Sequence, residues 1–201
     1  MLPPTPPPAL RRSIRPLIRE VVETLVGAVT LYLIISTIIG RFEIQQISME
    51  PTFHEGQRVV ISYWDRLLAS FRTDVAHAAG EQTAATAYAR GQVVVLYPTS
   101  AHEGIPLIKR VIGVPGDTLM LKDNQVCVNG TLLDEPYVHG APTSCAQYCG
   151  TVTLGPGQYF VMGDNRTQSY DSRYFGPVNE QDIIGHVILR YWPLNTLEAY
   201  P

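Results

Sequence analysis

An uncharged run from Thr24 to Gly40 (TLVGAVTLYLIISTIIG) constrains this chain more than any other feature. Its 17 residues reach the roughly 17–25 needed to cross the hydrocarbon core of a bilayer as a helix. Val21 and Val22 lengthen it, and Glu23 is close enough to the end to reach the headgroups. A cleavable leader has a shorter apolar core, about 7–15 residues, followed by a small-residue cleavage site, and Ile38-Ile39-Gly40-Arg41-Phe42 supplies none. A buried core helix would carry one apolar stripe, whereas this run is apolar on every side. It reads as a transmembrane anchor over 21–40. Arg11, Arg12, Arg15 and Arg19 precede it and only Arg41 follows closely, which places the N-terminus in the cytoplasm. Residues 1–20, opening with MLPPTPPP, read as a disordered, basic cytoplasmic segment. Residues 41–201 would then form an extracytoplasmic domain at the plasma (inner) membrane.

Composition narrows the class of that domain. Hydrophobic residues make up 45% of the 201-residue chain, too few for a multi-span membrane protein. The net charge of −3 leaves no basic surplus for phosphates, so nucleic acid is not an expected partner. Cys127, Cys145 and Cys149 form no CxxC pair, and His54, His77, His102, His139 and His186 are scattered, so neither a metal site nor another cofactor is expected. In an oxidising compartment Cys145 and Cys149 are candidates for a disulfide.

Sixteen glycines and sixteen prolines favour turns over a helical bundle. Short β-branched or alternating runs recur: Phe42 to Ser48, Arg58 to Tyr63, Gln92 to Tyr97, Ile105 to Val114 (broken by Pro106), Thr118 to Lys122, Gln125 to Val128, Gln158 to Met162 and Ile183 to Trp192. Asp123-Asn124 marks a hairpin, and Pro115-Gly116 and Asn129-Gly130 mark turns. The expected fold is mostly β, a coiled antiparallel sheet or barrel-like catalytic domain behind one N-terminal transmembrane helix. Thr73 to Arg90 is alanine-rich and reads equally as an inserted helix or a surface loop.

Three segments carry candidate chemistry. Ser48 opens Ser48-Met49-Glu50-Pro51-Thr52, eight residues past Gly40; on its own it reads as readily as a turn residue. Lys109 sits in an apolar strand in which Lys109, Val111 and Gly113 share one face and Ile108, Arg110 and Ile112 the other, so one of the two bases must point inward or pair. Either the lysine stem covers apolar surface while its amine reaches water, or the amine is desolvated, loses its proton and acts as a general base beside a serine. Gly163 to Arg173 (GDNRTQSYDSR) packs Asp164, Arg166, Asp171 and Arg173 among hydroxyls. Asp171 and Arg173 are candidates for a bidentate pair, and Ser169 for a partner of the lysine amine.

In order and spacing, SMEPT, GQVVVL, IKRVIGVPGDTL, NG, GDNRTQSYDSRYFGPV and GHVILRYWPL resemble bacterial type I signal peptidases, from Phe42 to Leu194. The resemblance implies a membrane-anchored serine endopeptidase that removes signal peptides from exported preproteins after Ala-x-Ala-like sites. It implies Ser48 as nucleophile, Lys109 as general base, Ser169 as hydrogen-bond partner of the lysine, Asp171 and Arg173 as a supporting ion pair, and Asp164, Asn165 and Arg166 as residues shaping the site. The Ser48 backbone N–H would bind the oxyanion, with Gln46 as second donor where the family often has Ser or Gly. Ile44, Met49, Phe53 and Ile108 would line the subsites. The partners implied are exported preproteins and the lipid bilayer. Gly91-Gln92 departs from the family's usual Gly-Asp. Two other classes fit the chain less well: a self-cleaving repressor with the same Ser–Lys pair would need a DNA-binding helix-turn-helix in place of the apolar span, and a membrane-tethered scaffold would not need the pair.

Overall fold

A computed structural model describes residues 14–65, 68, 86–98, 105–148 and 150–200. The chain divides into two units at Thr37/Ile38. The first is dominated by helix α1, Ile14–Ile38. Of this, Pro16–Ile38 is long and apolar enough to cross a membrane. The helix begins before the expected anchor, so Arg15 and Arg19 belong to it rather than to a disordered segment, and Arg19 pairs with Glu23 one turn on at 2.7 Å. Pro16 is tolerated because the first turn has no intrahelical acceptor for its missing N–H. The hydroxyls of Thr24, Thr30, Ser36 and Thr37 each donate to a carbonyl three or four residues back at 2.7–2.9 Å. These four hydroxyls are thereby satisfied by their own helix, as a lipid environment requires.

The second unit is antiparallel β. Strands β1 Ile39–Glu43, β2 Arg58–Ser62, β3 Val93–Leu96, β4 Leu107–Gly113, β9 Gln158–Met162, β10 Val178–Asn179 and β11 Ile183–Trp192 form one sheet in the order β1-β2-β11-β3-β4-β9-β10, with β12 Glu198–Ala199 beside β11. A second sheet, β7-β6-β5-β8, uses β5 Thr118–Lys122, β6 Gln125–Val128, β7 Thr131–Leu132 and β8 Val152–Thr153. Bulges interrupt the register of β11 against both neighbours and of β4 against β9. They bend and twist the strands and curl the large sheet.

The turns follow their residues. Asp123 and Asn124 both take positive φ (52° and 60°) and close the β5–β6 hairpin; Asn129-Gly130 does the same between β6 and β7. The first strand falls at Ile39–Glu43 rather than Phe42 to Ser48, so residues 44–48 are free to form a loop. Of the alanine-rich stretch, residues 73–85 lie outside the described residues; Tyr88 is buried edge-on against Tyr159, and Arg90 pairs with Asp117 at 2.7 Å. Cys145 is disulfide-bonded and Cys127 is a free thiol, while Cys149 lies outside the described residues.

Both faces of the large sheet are covered. Val93, Val95 and Ile108 pack with Ile44, Met49 and Phe53 in one cluster, and Val94, Leu96 and Val111 pack with Tyr159 and Val161 in another. Near the middle, Gly185 lets β11 approach the Ser62 carbonyl: a Cβ there would sit 2.1 Å from that oxygen. Since a backbone atom cannot step aside, Gly185→Ala should destabilise the domain by about 1–3 kcal/mol. Thermal unfolding checks this, and an unchanged midpoint would mean that the sheet is looser here than described.

Candidate active site

Ser48 and Lys109 meet at the end of β4. The loop between β1 and β2 brings Ser48 over the strand, where it is 5% exposed and Lys109 1%. The Lys109 Nζ donates to Ser48 Oγ at 2.7 Å and to the Ile108 carbonyl at 3.0 Å. No carboxylate lies within salt-bridge distance of this amine among the described residues. Burial therefore dominates and lowers the Lys109 pKa from 10.5 to about 8; Asp171 and Asp164 pull it upward, and Arg173 adds to the lowering.

Neighbouring Arg110 faces the other side of the strand, where the alternation calls for solvent or a partner. It is buried too, because that face is also covered. The difference between the two bases is pairing. Arg110 makes a fork to Asp164, Nε to Oδ1 at 2.8 Å and Nη2 to Oδ2 at 2.6 Å, and lies 4.1 Å over the Tyr137 ring. One buried base is neutralised by a carboxylate; the other has none in contact, and burial lowers its pKa to about 8.

The GDNR–SDSR segment encloses the pair. The Asn165 N–H donates to the Ser48 carbonyl at 3.0 Å, and its side-chain amide to the Ile47 carbonyl at 3.3 Å, holding the serine loop from behind. Asp164 also accepts from Thr52 Oγ1 at 2.6 Å. Arg166, fully buried, donates to the Gly163 carbonyl at 3.1 Å and to Glu135 and Thr143. Asp171 and Arg173 form the expected bidentate pair at 2.8 and 2.9 Å, and Asp171 also accepts the Gly163 N–H at 3.0 Å. Gly163 is held so close that a Cβ would lie 2.3 Å from Ser169 Oγ and 2.4 Å from the Ser48 carbonyl.

Two expectations need correction. Ser169 is buried beside the site, but its Oγ has no partner among the described residues, and the lysine amine spends its hydrogen bonds on Ser48 and the Ile108 carbonyl instead. Ile44, Met49 and Phe53 line neither cleft at the site; they are fully buried in the core with Ile108, which alone reaches one of them. Among the residues that line the clefts, Gln45, Leu107, Gln168, Tyr170 and Ile105 are ones the sequence reading did not single out. One cleft, about 330 Å³, runs over Ser48 and Lys109 between Gln46, Leu107, Gln168 and Tyr170. A second, about 240 Å³, continues past Gln45 and Gln46 between Phe42 and Ile105. The sequence carries no signal that singles out Gln168 or Tyr170 beyond their place in the Gly163 to Arg173 segment. Gln46 borders both clefts, and among the described residues it makes no hydrogen bond and the Ser48 N–H donates to nothing.

The model of the family described as signal peptidase, peptidase S26, matches residues 18–192. A probable signal peptidase I-2 of Synechocystis sp. is 35% identical over 182 residues, 87% of this chain and 73% of its own. Signal peptidase I V of Bacillus subtilis is 34% identical over 156 residues, 72% and 80% of the two chains. Signal peptidase IB of Staphylococcus aureus is 30% identical over 194 residues, 89% and 91%.

The buried lysine carries a stability cost that can be measured. Below about pH 8 the amine is charged in both folded and unfolded chains, and the fold bears the full burial penalty; as pH rises from about 8 to 10.5 the native amine deprotonates first and the penalty fades. Lys109→Met should therefore stabilise the domain at pH 7 by up to ~3 kcal/mol. The gain should shrink above pH 8. Chemical denaturation across that range checks it, and a destabilised variant at pH 7 would show that the amine is well solvated.

Proposed function

This chain belongs to the signal peptidase family S26 and is a serine peptidase that removes signal peptides, and from that premise we propose that Ser48 is its nucleophile and Lys109 its general base. The observation that carries the reading is a 2.7 Å contact between the serine oxygen and a buried amine that has no carboxylate partner. In the reacting form the contact reverses: the neutral amine accepts the Ser48 proton, with the Ile108 carbonyl fixing the direction of its lone pair. Ser48 Oγ then attacks the carbonyl carbon of the last signal-peptide residue. The Ser48 N–H and the Gln46 side-chain amide hold the oxyanion. As the C–N bond breaks, the Lys109 ammonium returns the proton to the departing amine. Water, deprotonated by the same lysine, then cleaves the acyl-enzyme.

The substrate is an extended peptide laid along the two adjoining clefts. Among the described residues Gln45 and Gln46 make no backbone hydrogen bonds, so their amides and carbonyls are available to a bound strand. With Ile44, Met49 and Phe53 packed into the core behind, the grooves are shallow and suit small side chains, which supports Ala-x-Ala-like sites. The arginine bias around α1 supports a cytoplasmic N-terminus and a catalytic domain on the opposite side of the plasma membrane.

Cleavage of a preprotein bearing an Ala-x-Ala site, in lipid, tests the pair. Ser48→Ala and Lys109→Met should each lose about 10³-fold or more, and the double variant no more than the singles, since the two act as a unit. For the wild type, kcat/KM should rise with pH and level off above about 8, because only the neutral amine accepts a proton. Activity that survives in Ser48→Ala, or a flat profile between pH 6 and 9, would dismiss the assignment.

Gln46→Ala separately tests the second oxyanion donor. Loss of one such donor costs about 10²–10³-fold in kcat. A change within twofold would mean that the Ser48 N–H acts with another partner.

A further inference from the structure

Tyr170 is placed by its neighbours rather than by its own contacts. Ser169 and Asp171 on either side are buried, and Asp171 is tied to Arg173 and to the Gly163 N–H. With the backbone fixed on both sides, the Tyr170 ring turns outward and is 53% exposed. It stands in the wall of the cleft that holds Ser48 and Lys109. Tyr174 lies 5.4 Å away and tilted, and Phe175 lies 5.4 Å away and edge-on, so the ring is braced from behind by two more aromatics. None of the proposed proton transfers involves it. A rigid, half-exposed aromatic face at the edge of a reaction cleft is apolar area held ready for a ligand.

The direction of the groove says which part of the substrate meets it. Away from Ser48, the second cleft runs beside Arg41 and Phe42, three and four residues beyond the last residue of α1. A signal peptide whose own apolar stretch sits in the bilayer approaches from that end. Tyr170 borders only the cleft at Ser48 and is absent from the other, so it lies where the peptide emerges after the scissile bond.

We infer that Tyr170 is a specificity-determining residue that stacks on one of the first two residues of the mature protein and favours aromatic or large aliphatic side chains there. This rests on the peptidase reading of the same site. The test uses the full chain in lipid and preprotein peptides that share one Ala-x-Ala site. The first and second residues after the cut are varied in turn among Gly, Asp, Leu and Phe, and kcat/KM is measured for wild type, Tyr170→Ala and Tyr170→Phe. At one of the two positions the wild type should prefer Phe over Gly by about three- to tenfold, the range of one aromatic pair. The ratio should fall to near one in Tyr170→Ala and persist in Tyr170→Phe. A wild type without preference at either position, or a preference that survives in Tyr170→Ala, overturns the assignment while leaving the peptidase reading intact. A wild type that cuts no member of the set removes both.

Discussion

The site depends on one lysine amine that is taken out of water and given no carboxylate. In water a lysine is protonated at neutral pH and useless as a base. Burial brings the pKa down to about 8, because an ammonium without solvent or counter-ion is costly, so a usable fraction of neutral amine exists near neutral pH. The chain contains the material to undo this effect, since Asp164 and Asp171 both lie near enough to pull the Lys109 pKa upward. What prevents them is that each already has its own guanidinium: Arg110 takes both oxygens of Asp164 and Arg173 both oxygens of Asp171. The two ion pairs therefore do more than brace loops. They hold the carboxylates out of direct contact with the amine, and so preserve its reactivity.

The same pairs fix the serine. Asp164 grips Thr52 on the loop that carries Ser48, and Asn165 grips the carbonyls of Ile47 and Ser48. Asp171 draws in the Gly163 N–H, which leaves no room for a side chain at that position. Ser48 and Lys109, the proposed nucleophile and base, thus come from distant parts of the sequence but are referenced to one short segment, Gly163 to Arg173, and a shift in that segment moves both.

Much of this was legible in the chain. Ile183–Trp192, Gln158–Met162 and the β5–β6 hairpin fall where alternation and turn residues put them, because local preference and tertiary packing agree there. The Asp171–Arg173 pair was readable from a two-residue spacing. What the pattern did not reveal depends on the third dimension. Alternation on β4 requires one base to point inward or pair but does not show that both are buried, which follows from a layer against each face of the strand. The resemblance implies that Ile44, Met49 and Phe53 line the subsites, yet they are spent on the core. Nothing in a sequence distinguishes an apolar residue that lines a groove from one that closes it from behind. The start of α1 was misjudged for another reason: charged Arg15 and Arg19 end an apolar run but not a helix, since the backbone continues its hydrogen bonds whatever the side chains carry.

A shallow groove raises the question of where affinity comes from. Clefts of about 240 and 330 Å³ that accept small side chains bury little apolar area, and at about 25 cal/mol/Å² they contribute few kcal/mol. Residue-specific contacts strong enough to compensate would narrow the range of sequences the enzyme accepts. An anchor on the enzyme and an apolar segment on the substrate supply the alternative. Two partners that share a bilayer meet at an effective concentration far above their bulk value, without any added contact at the scissile bond. Recognition by membrane residence and discrimination by a narrow groove are then separate functions, carried by the α1 helix and the β domain respectively. That separation is why the site can stay small while its reactive pair is held as rigidly as the ion-pair frame allows.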